Sequence, residues 1–134
     1  MIKWPITYTD YNDETHTEDF YFNLNKAEVM EMNLDANGAY AEYLQRMVDQ
    51  RDGHKLGEEY KRIILKSYGE KSADGRRFIK TPELTEAFSQ TEAYSDIFME
   101  LATDEKAAAA FVQGITPKGL DKYVENQPVL NEVN

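Results

Sequence analysis

The feature that most constrains this chain is its punctuation: between Asn25 and Pro117, helix start and stop signals recur so often that every apolar stripe is cut short. Asn25 is a good N-cap, Glu28 three residues on completes a capping box, and Leu24 with Val29 has the spacing of a hydrophobic staple. A helix is predicted from there to about Met32. Residues 33–38 break the pattern, and a second helix is expected with Tyr40, Tyr43, Leu44, Met47 and Val48 on one face, ended by Asp52 and Gly53. A third should cover about residues 56–68, where Leu56, Tyr60, Ile63 and Ile64 share a stripe and Gly69 reads as a left-handed C-cap.

Thr81-Pro82-Glu83 opens a short helix to about Phe88, with Pro at the first helical position and an acid in the first turn. Ser89-Gln90-Thr91-Glu92 reads as a second capping box, and Ala93, Tyr94, Ile97, Phe98, Leu101 and Ala102 then keep the helical period, which places Phe98 and Leu101 in the core. Thr103 or Asp104 caps a last helix through the four alanines at 107–110 to Phe111 and Val112, stopped by Gly114 and Pro117.

The two ends of the chain read differently. Residues 2–9 and 15–22 are rich in aromatic and β-branched residues, and the polar insert at 10–14 supplies turn formers, so an N-terminal β-hairpin is expected. Pro5 cannot donate a ladder hydrogen bond, which puts the first strand at a sheet edge or gives it a bulge. A lone hairpin is marginal in water, so it must lie on the helices. Residues 70–80, with Asp74-Gly75 before Phe78-Ile79, read as a loop or miniature hairpin. The expected fold is α+β and mainly α: an N-terminal hairpin packed on a bundle of about five to six short helices in one domain over 1–117. Residues 118–134 lack a sustained apolar face and are read as a flexible or partner-ordered C-terminal tail.

Composition narrows the function. Fifteen Lys and Arg against twenty-five Asp and Glu give a net charge of −10, which repels phosphate backbones and anionic membranes and argues against direct nucleic-acid or membrane binding. The absence of cysteine removes disulfides, thiolate nucleophiles and cysteine-ligated metals, and suits a cytoplasmic setting. The first residues carry no apolar core of a signal peptide, and no segment is apolar for long enough to span a bilayer.

No catalytic apparatus stands out. His16 and His54 are expected as solvated surface histidines, and the scattered glycines sit at turns and caps rather than in a phosphate loop. Asp10, Asn12, Asp13 and Glu14 are oxygen ligands close together, but without the central glycine and distal glutamate of a calcium loop they read as a solvated turn. No enzyme activity, cofactor or metal is expected. Arg76 and Arg77, with Lys71 and Lys80, form the one basic cluster and could grip an acidic partner. Tyr40 and Tyr43 are candidate contact residues because exposed Tyr favours interfaces, and Leu120, Tyr123 and Leu130 are sparse apolar anchors in the tail.

Several stretches carry a resemblance: Ile6-Thr7-Tyr8-Thr9-Asp10-Tyr11, Thr17-Glu18-Asp19-Phe20-Tyr21-Phe22-Asn23-Leu24, Lys66-Ser67-Tyr68-Gly69-Glu70, and Phe88-Ser89-Gln90-Thr91-Glu92-Ala93-Tyr94-Ser95. The strongest is Phe98-Met99-Glu100-Leu101-Ala102-Thr103-Asp104 followed by the alanines and Phe111. Across about residues 3–117 the chain resembles tail assembly chaperones of long-tailed phages and prophages of Gram-positive bacteria. The resemblance implies a non-enzymatic protein of the host cytoplasm that coats the tape-measure protein, brings in tail tube subunits and is absent from the finished virion; self-association along the tape measure is a further expectation. It also implies that a longer form can arise by translational frameshift. Competing readings are a virion structural or accessory protein of head or tail, and an acidic DNA mimic that inhibits a host enzyme.

Overall fold

A computed structural model of the chain describes residues 1–35 and 53–117. The N-terminal hairpin is present as expected: β1 (Ile2–Thr9) and β2 (Thr15–Phe22) pair antiparallel in unbroken register, from Ile2 opposite Phe22 to Thr9 opposite Thr15. The turn is closed by Asp10 itself. Its Oδ1 accepts the amides of Asn12 (2.8 Å) and Glu14 (2.9 Å), and its own amide donates to the Glu14 carbonyl at 2.8 Å. Asp13 takes φ +62°, a left-handed conformation that short polar side chains tolerate. Pro5 pairs with Asp19 on an edge strand and no bulge is needed, which settles the two options its missing N–H left open.

After the capping box of α1 (Lys26–Asp35) comes α2 (Gly53–Ser67), then β3 (Tyr68–Lys71) and β4 (Phe78–Ile79), and finally α3 (Pro82–Ser89), α4 (Glu92–Thr103) and α5 (Glu105–Ile115). The four strands form one sheet in the order β1-β2-β3-β4, all neighbours antiparallel, so the miniature hairpin read at 70–80 extends the N-terminal one. With five helices among the described residues, the fold is α+β with helix predominant.

The sheet buries one face by alternation. Ile2, Trp4 and Ile6 of β1 meet Phe20 and Phe22 of β2, while Lys3, Thr7, Thr9, Thr15, Thr17 and Asp19 face water. Phe22 is fully buried among Trp4, Tyr68, Phe88 and Phe111, its ring centroid 5.3 to 6.4 Å from each of theirs. Tyr68 stacks flat on Phe88 at 4.0 Å and 8°, joining β3 to α3. Such ring pairs add about 0.5–1.5 kcal/mol beyond the area they bury.

The residues leaving β2 tie the helices to that sheet. Asn23 donates its amide to the Ser67 carbonyl at the end of α2 (2.8 Å), and Leu24 donates to Ile115 at the end of α5 (3.0 Å), satisfying carbonyls a helix cannot satisfy itself. The Asn23 carbonyl accepts from Lys80 Nζ at 2.7 Å. Asn25 and Glu28 exchange the two bonds of the capping box at 2.8 and 2.9 Å, and Leu24 and Val29 are both buried.

Several boundaries differ from expectation. Helix α1 continues through Asp35, and Gly53 is itself a residue of α2. Gly69 is a strand residue and not a C-cap: only Asp13 and Gly75 have positive φ among the described residues. Its requirement is space, since a Cβ there would lie 2.8 Å from Phe78 Cε2 and 2.9 Å from the Ile79 carbonyl. Thr91, not Ser89, caps α4 by accepting the Tyr94 amide at 3.2 Å; Ser89 ends α3 and its hydroxyl donates to Glu86. Asp104 caps α5, accepting the amides of Lys106 and Ala107. That helix passes through Gly114, which sits against Ile2 so closely that a Cβ would be 2.5 Å from Ile2 Cγ1. The expected helix over Tyr40–Val48 and the tail at 118–134 lie outside the described residues.

Leu101 is in the core at 1 % exposure, but Phe98 is only half-buried and Ala102 is exposed, because Ile97 and Ala93 take the inward positions. Phe22→Ala is therefore expected to destabilise by about 3–5 kcal/mol, and Phe98→Ala by clearly less. Urea unfolding of the two variants checks this; a Phe98→Ala midpoint as low as that of Phe22→Ala would contradict it.

Candidate functional site

Helix α2 turns Tyr60, Ile63 and Ile64 inward and leaves Lys61, Leu65 and Lys66 beside a groove toward α3 and α4. The groove holds about 860 Å³, with Leu65, Pro82 and Tyr94 giving apolar surface and Lys61, Lys66 and Glu86 charged groups. It continues along α2 into a second hollow of about 490 Å³, which shares Lys61 and Tyr94 and adds Gly57 and Phe98. Gly57 carries no side chain at this point of the wall, and a Cβ there would be in ordinary contact with the Phe98 ring, 3.8 Å from its Cζ. Tyr94 and Phe98, one turn apart, line the opposite wall, and burial raises the Tyr94 phenol above its ordinary value. An apolar trough between helices with a partly cationic rim can take the apolar face of another helix.

The basic cluster expected from sequence is divided by the fold. Lys80 is committed to Asn23 and to Glu28, whose Oε2 lies 2.7 Å from its Nζ, both side chains only about a fifth exposed. It is a brace for the start of α1. Lys71 lies over the Tyr21 ring, 4.9 Å from its centroid. Arg76 and Arg77 remain exposed on the β3–β4 loop. That loop is well tied: Ser72 Oγ donates to Asp74 Oδ1 (2.7 Å) and accepts the Arg77 amide (3.0 Å), Asp74 accepts the Arg76 amide (3.0 Å), and Gly75 turns at φ +73°. The Ser72 hydroxyl and then the Arg76 amide hold the Asp74 carboxyl below its ordinary value.

The remaining candidates, Tyr40, Tyr43, Leu120, Tyr123 and Leu130, lie outside the described residues. The sequence shows Tyr94 and Phe98 at helical spacing as core candidates and carries no local signal that they line a groove.

His16 differs from its expectation as a solvated histidine. Its Nε2 lies 2.6 Å from Asp10 Oδ2, its Nδ1 is 4.0 Å from Glu18 Oε1, and its ring is 5.5 Å from Tyr8. Tyr8 in turn donates to Glu18 at 2.7 Å, and that bond pushes its pKa up to about 12. Asp10, Glu14 and His16 bring one ligand atom each within 4.8 Å of one another, the group among the described residues that could hold a metal. Both Asp10 oxygens already serve the turn, however, one accepting two amides and the other facing His16, so the cluster reads as a staple of the hairpin tip. It lies at a part-exposed turn rather than in a deep pocket.

The Asp10 hydrogen bond raises the His16 pKa above 6.5, and the same bond, with help from the Glu14 amide, lowers that of Asp10 below 3.8. The pair contributes fully between those ordinary values; its support is lost as pH rises through the folded His16 pKa and again as pH falls through the folded Asp10 pKa. The His16 Cε1 proton should titrate by NMR with a midpoint above 6.5 that drops in Asp10→Asn. Separately, Lys80→Met is expected to cost about 1–3 kcal/mol, because it leaves partners of a charge-assisted bond behind, whereas Arg76→Ala should stay within about 0.5 kcal/mol. Equal losses in denaturant unfolding would refute that contrast.

Comparison with known proteins gives one finding. A family model described as phage tail assembly chaperone matches residues 1–133, reaching past the 3–117 over which the resemblance was drawn. No curated protein and no solved structure matches the chain. With the match covering both the sheet and every described helix, the chain belongs to the phage tail assembly chaperone family.

Proposed function

We propose that the protein binds the tape-measure protein in the host cytoplasm, keeps it soluble until the tube forms around it, and helps recruit tail tube subunits. The family is one of chaperones rather than enzymes, and chaperones of phage tails act on tail proteins. No described helix is long and apolar enough to cross a membrane. The observation that carries the reading is the groove along α2, bordered by α3 and α4. A tape-measure protein is a long helical chain whose apolar stripes would aggregate alone; one such stripe fits a trough containing Leu65, Pro82, Tyr94 and Phe98, with Lys61 and Lys66 meeting acidic flanks. The net charge of −10 then adds solubility to the complex.

The test is co-expression with the tape-measure protein of the same phage. The full chain is expected to hold the tape measure in the soluble fraction, and the triple variant Lys61→Glu, Leu65→Gln, Lys66→Glu to reduce the captured amount about tenfold while its circular dichroism is unchanged. Undiminished capture would remove the groove from the reading. A tape measure equally soluble without the chain would remove the role, and recovery of the chain in purified virions by mass spectrometry would favour the structural-component reading.

A further inference from the structure

Among the described residues, strand β2 is fully paired on one side only. Against β1 its register runs the whole length of both strands, but against β3 the pairing stops after Tyr21–Gly69 and Phe22–Tyr68. Residues 15–20 of β2 therefore face β3 with no cross-strand partner among the described residues, an open edge of about 20 Å at the rise of an extended strand. The β3–β4 hairpin diverges from that edge instead of closing on it. A cleft of about 590 Å³ lies between them, with Glu18, Asp19 and Phe20 on one wall and Glu70, Lys71 and Asp74 on the other.

An open row of strand N–H and C=O groups is a template for another strand, and folds usually blunt such rows with proline, bulges or short length. This protein does so at the outer edges of its sheet: Pro5 interrupts the donors of β1, and β4 has two residues. The inner edge of β2 has neither device, and its Thr15, Thr17 and Phe20 suit an extended conformation. Carboxylates stand on both walls. The lining sets Glu18, Asp19, Glu70 and Asp74 against the ammonium of Lys71, which lies over Tyr21; Asp19 also has Lys3 Nζ at 3.6 Å, Glu18 accepts from Tyr8, and Asp74 accepts from Ser72 and the Arg76 amide. This excess of carboxylate over ammonium along the lining favours a cationic segment over an anionic one entering the cleft.

We propose that this cleft is a strand-addition site for an extended basic segment of a partner protein, with main-chain bonds to residues 15–20 of β2 giving affinity and Lys or Arg side chains meeting Glu18, Asp19, Glu70 and Asp74 giving selectivity. The site shares no residue with the groove along α2, so it stands or falls apart from the tape-measure reading.

The probe is a capped eight-residue peptide of alternating Lys and Val, titrated into the full chain by fluorescence anisotropy and followed by amide hydrogen exchange. The expected result is saturable binding, slowed exchange of amides within residues 15–20, and affinity about tenfold lower for a Glu/Val peptide, for the Lys/Val peptide N-methylated at alternate residues, and for the Asp19→Lys, Glu70→Lys variant. Equal binding of the N-methylated peptide would overturn the proposal by reducing it to charge attraction. So would protection mapped to another surface, no binding at all, or amides of residues 15–20 already fully protected in the free chain, which would mean that the edge is covered by the chain itself.

Discussion

Phe22 is the point on which the rest of this fold depends. It closes β2, and its ring is wrapped by one aromatic residue from each of β1, β3, α3 and α5: Trp4, Tyr68, Phe88 and Phe111. The next two residues, Asn23 and Leu24, bond the ends of α2 and α5. Side-chain packing and main-chain satisfaction thus converge on three consecutive positions. Because interiors are close-packed, a change at any of the four surrounding rings is felt at this one junction.

Helix α1 has little amphipathic character and is held by its capping box, by burial of Val29 and Met32, and by the Glu28–Lys80 ion pair that reaches across from the segment after β4. Lys80 therefore acts as a structural cation, shielded and doubly engaged, whereas Arg76 and Arg77 in the same short stretch of sequence remain open to solvent.

Local rules made much of this legible. The hairpin, the cap at Asn25, the Pro at the start of α3 and the Asp104 cap follow from residue chemistry over a few positions, and the sequence reading places them where the structure does. What it missed depends on distant partners. Gly69 looks like a helix stop because nothing nearby in sequence shows that Phe78 will lie against it. Ser89 and Thr91 compete for the same cap, and the winner is decided by where α3 ends. Phe98 has the right period for the core, but the sheet seats Ile97 instead. His16 reads as an isolated histidine until the turn folds Asp10 back onto it, and the groove appears only when Leu65 and Tyr94, from two different helices, are brought side by side.

The bond from the Leu24 amide to the Ile115 carbonyl also sets a clock. Its two partners are separated by roughly 90 residues of synthesis, so at about 5–20 residues per second the hairpin leaves the ribosome several seconds before α5 can cover Trp4 and Phe22. During that interval Trp4 and Phe22 lack the Phe111 ring that packs on both of them. The order of synthesis thus delays the closing of this junction until α5 has been made.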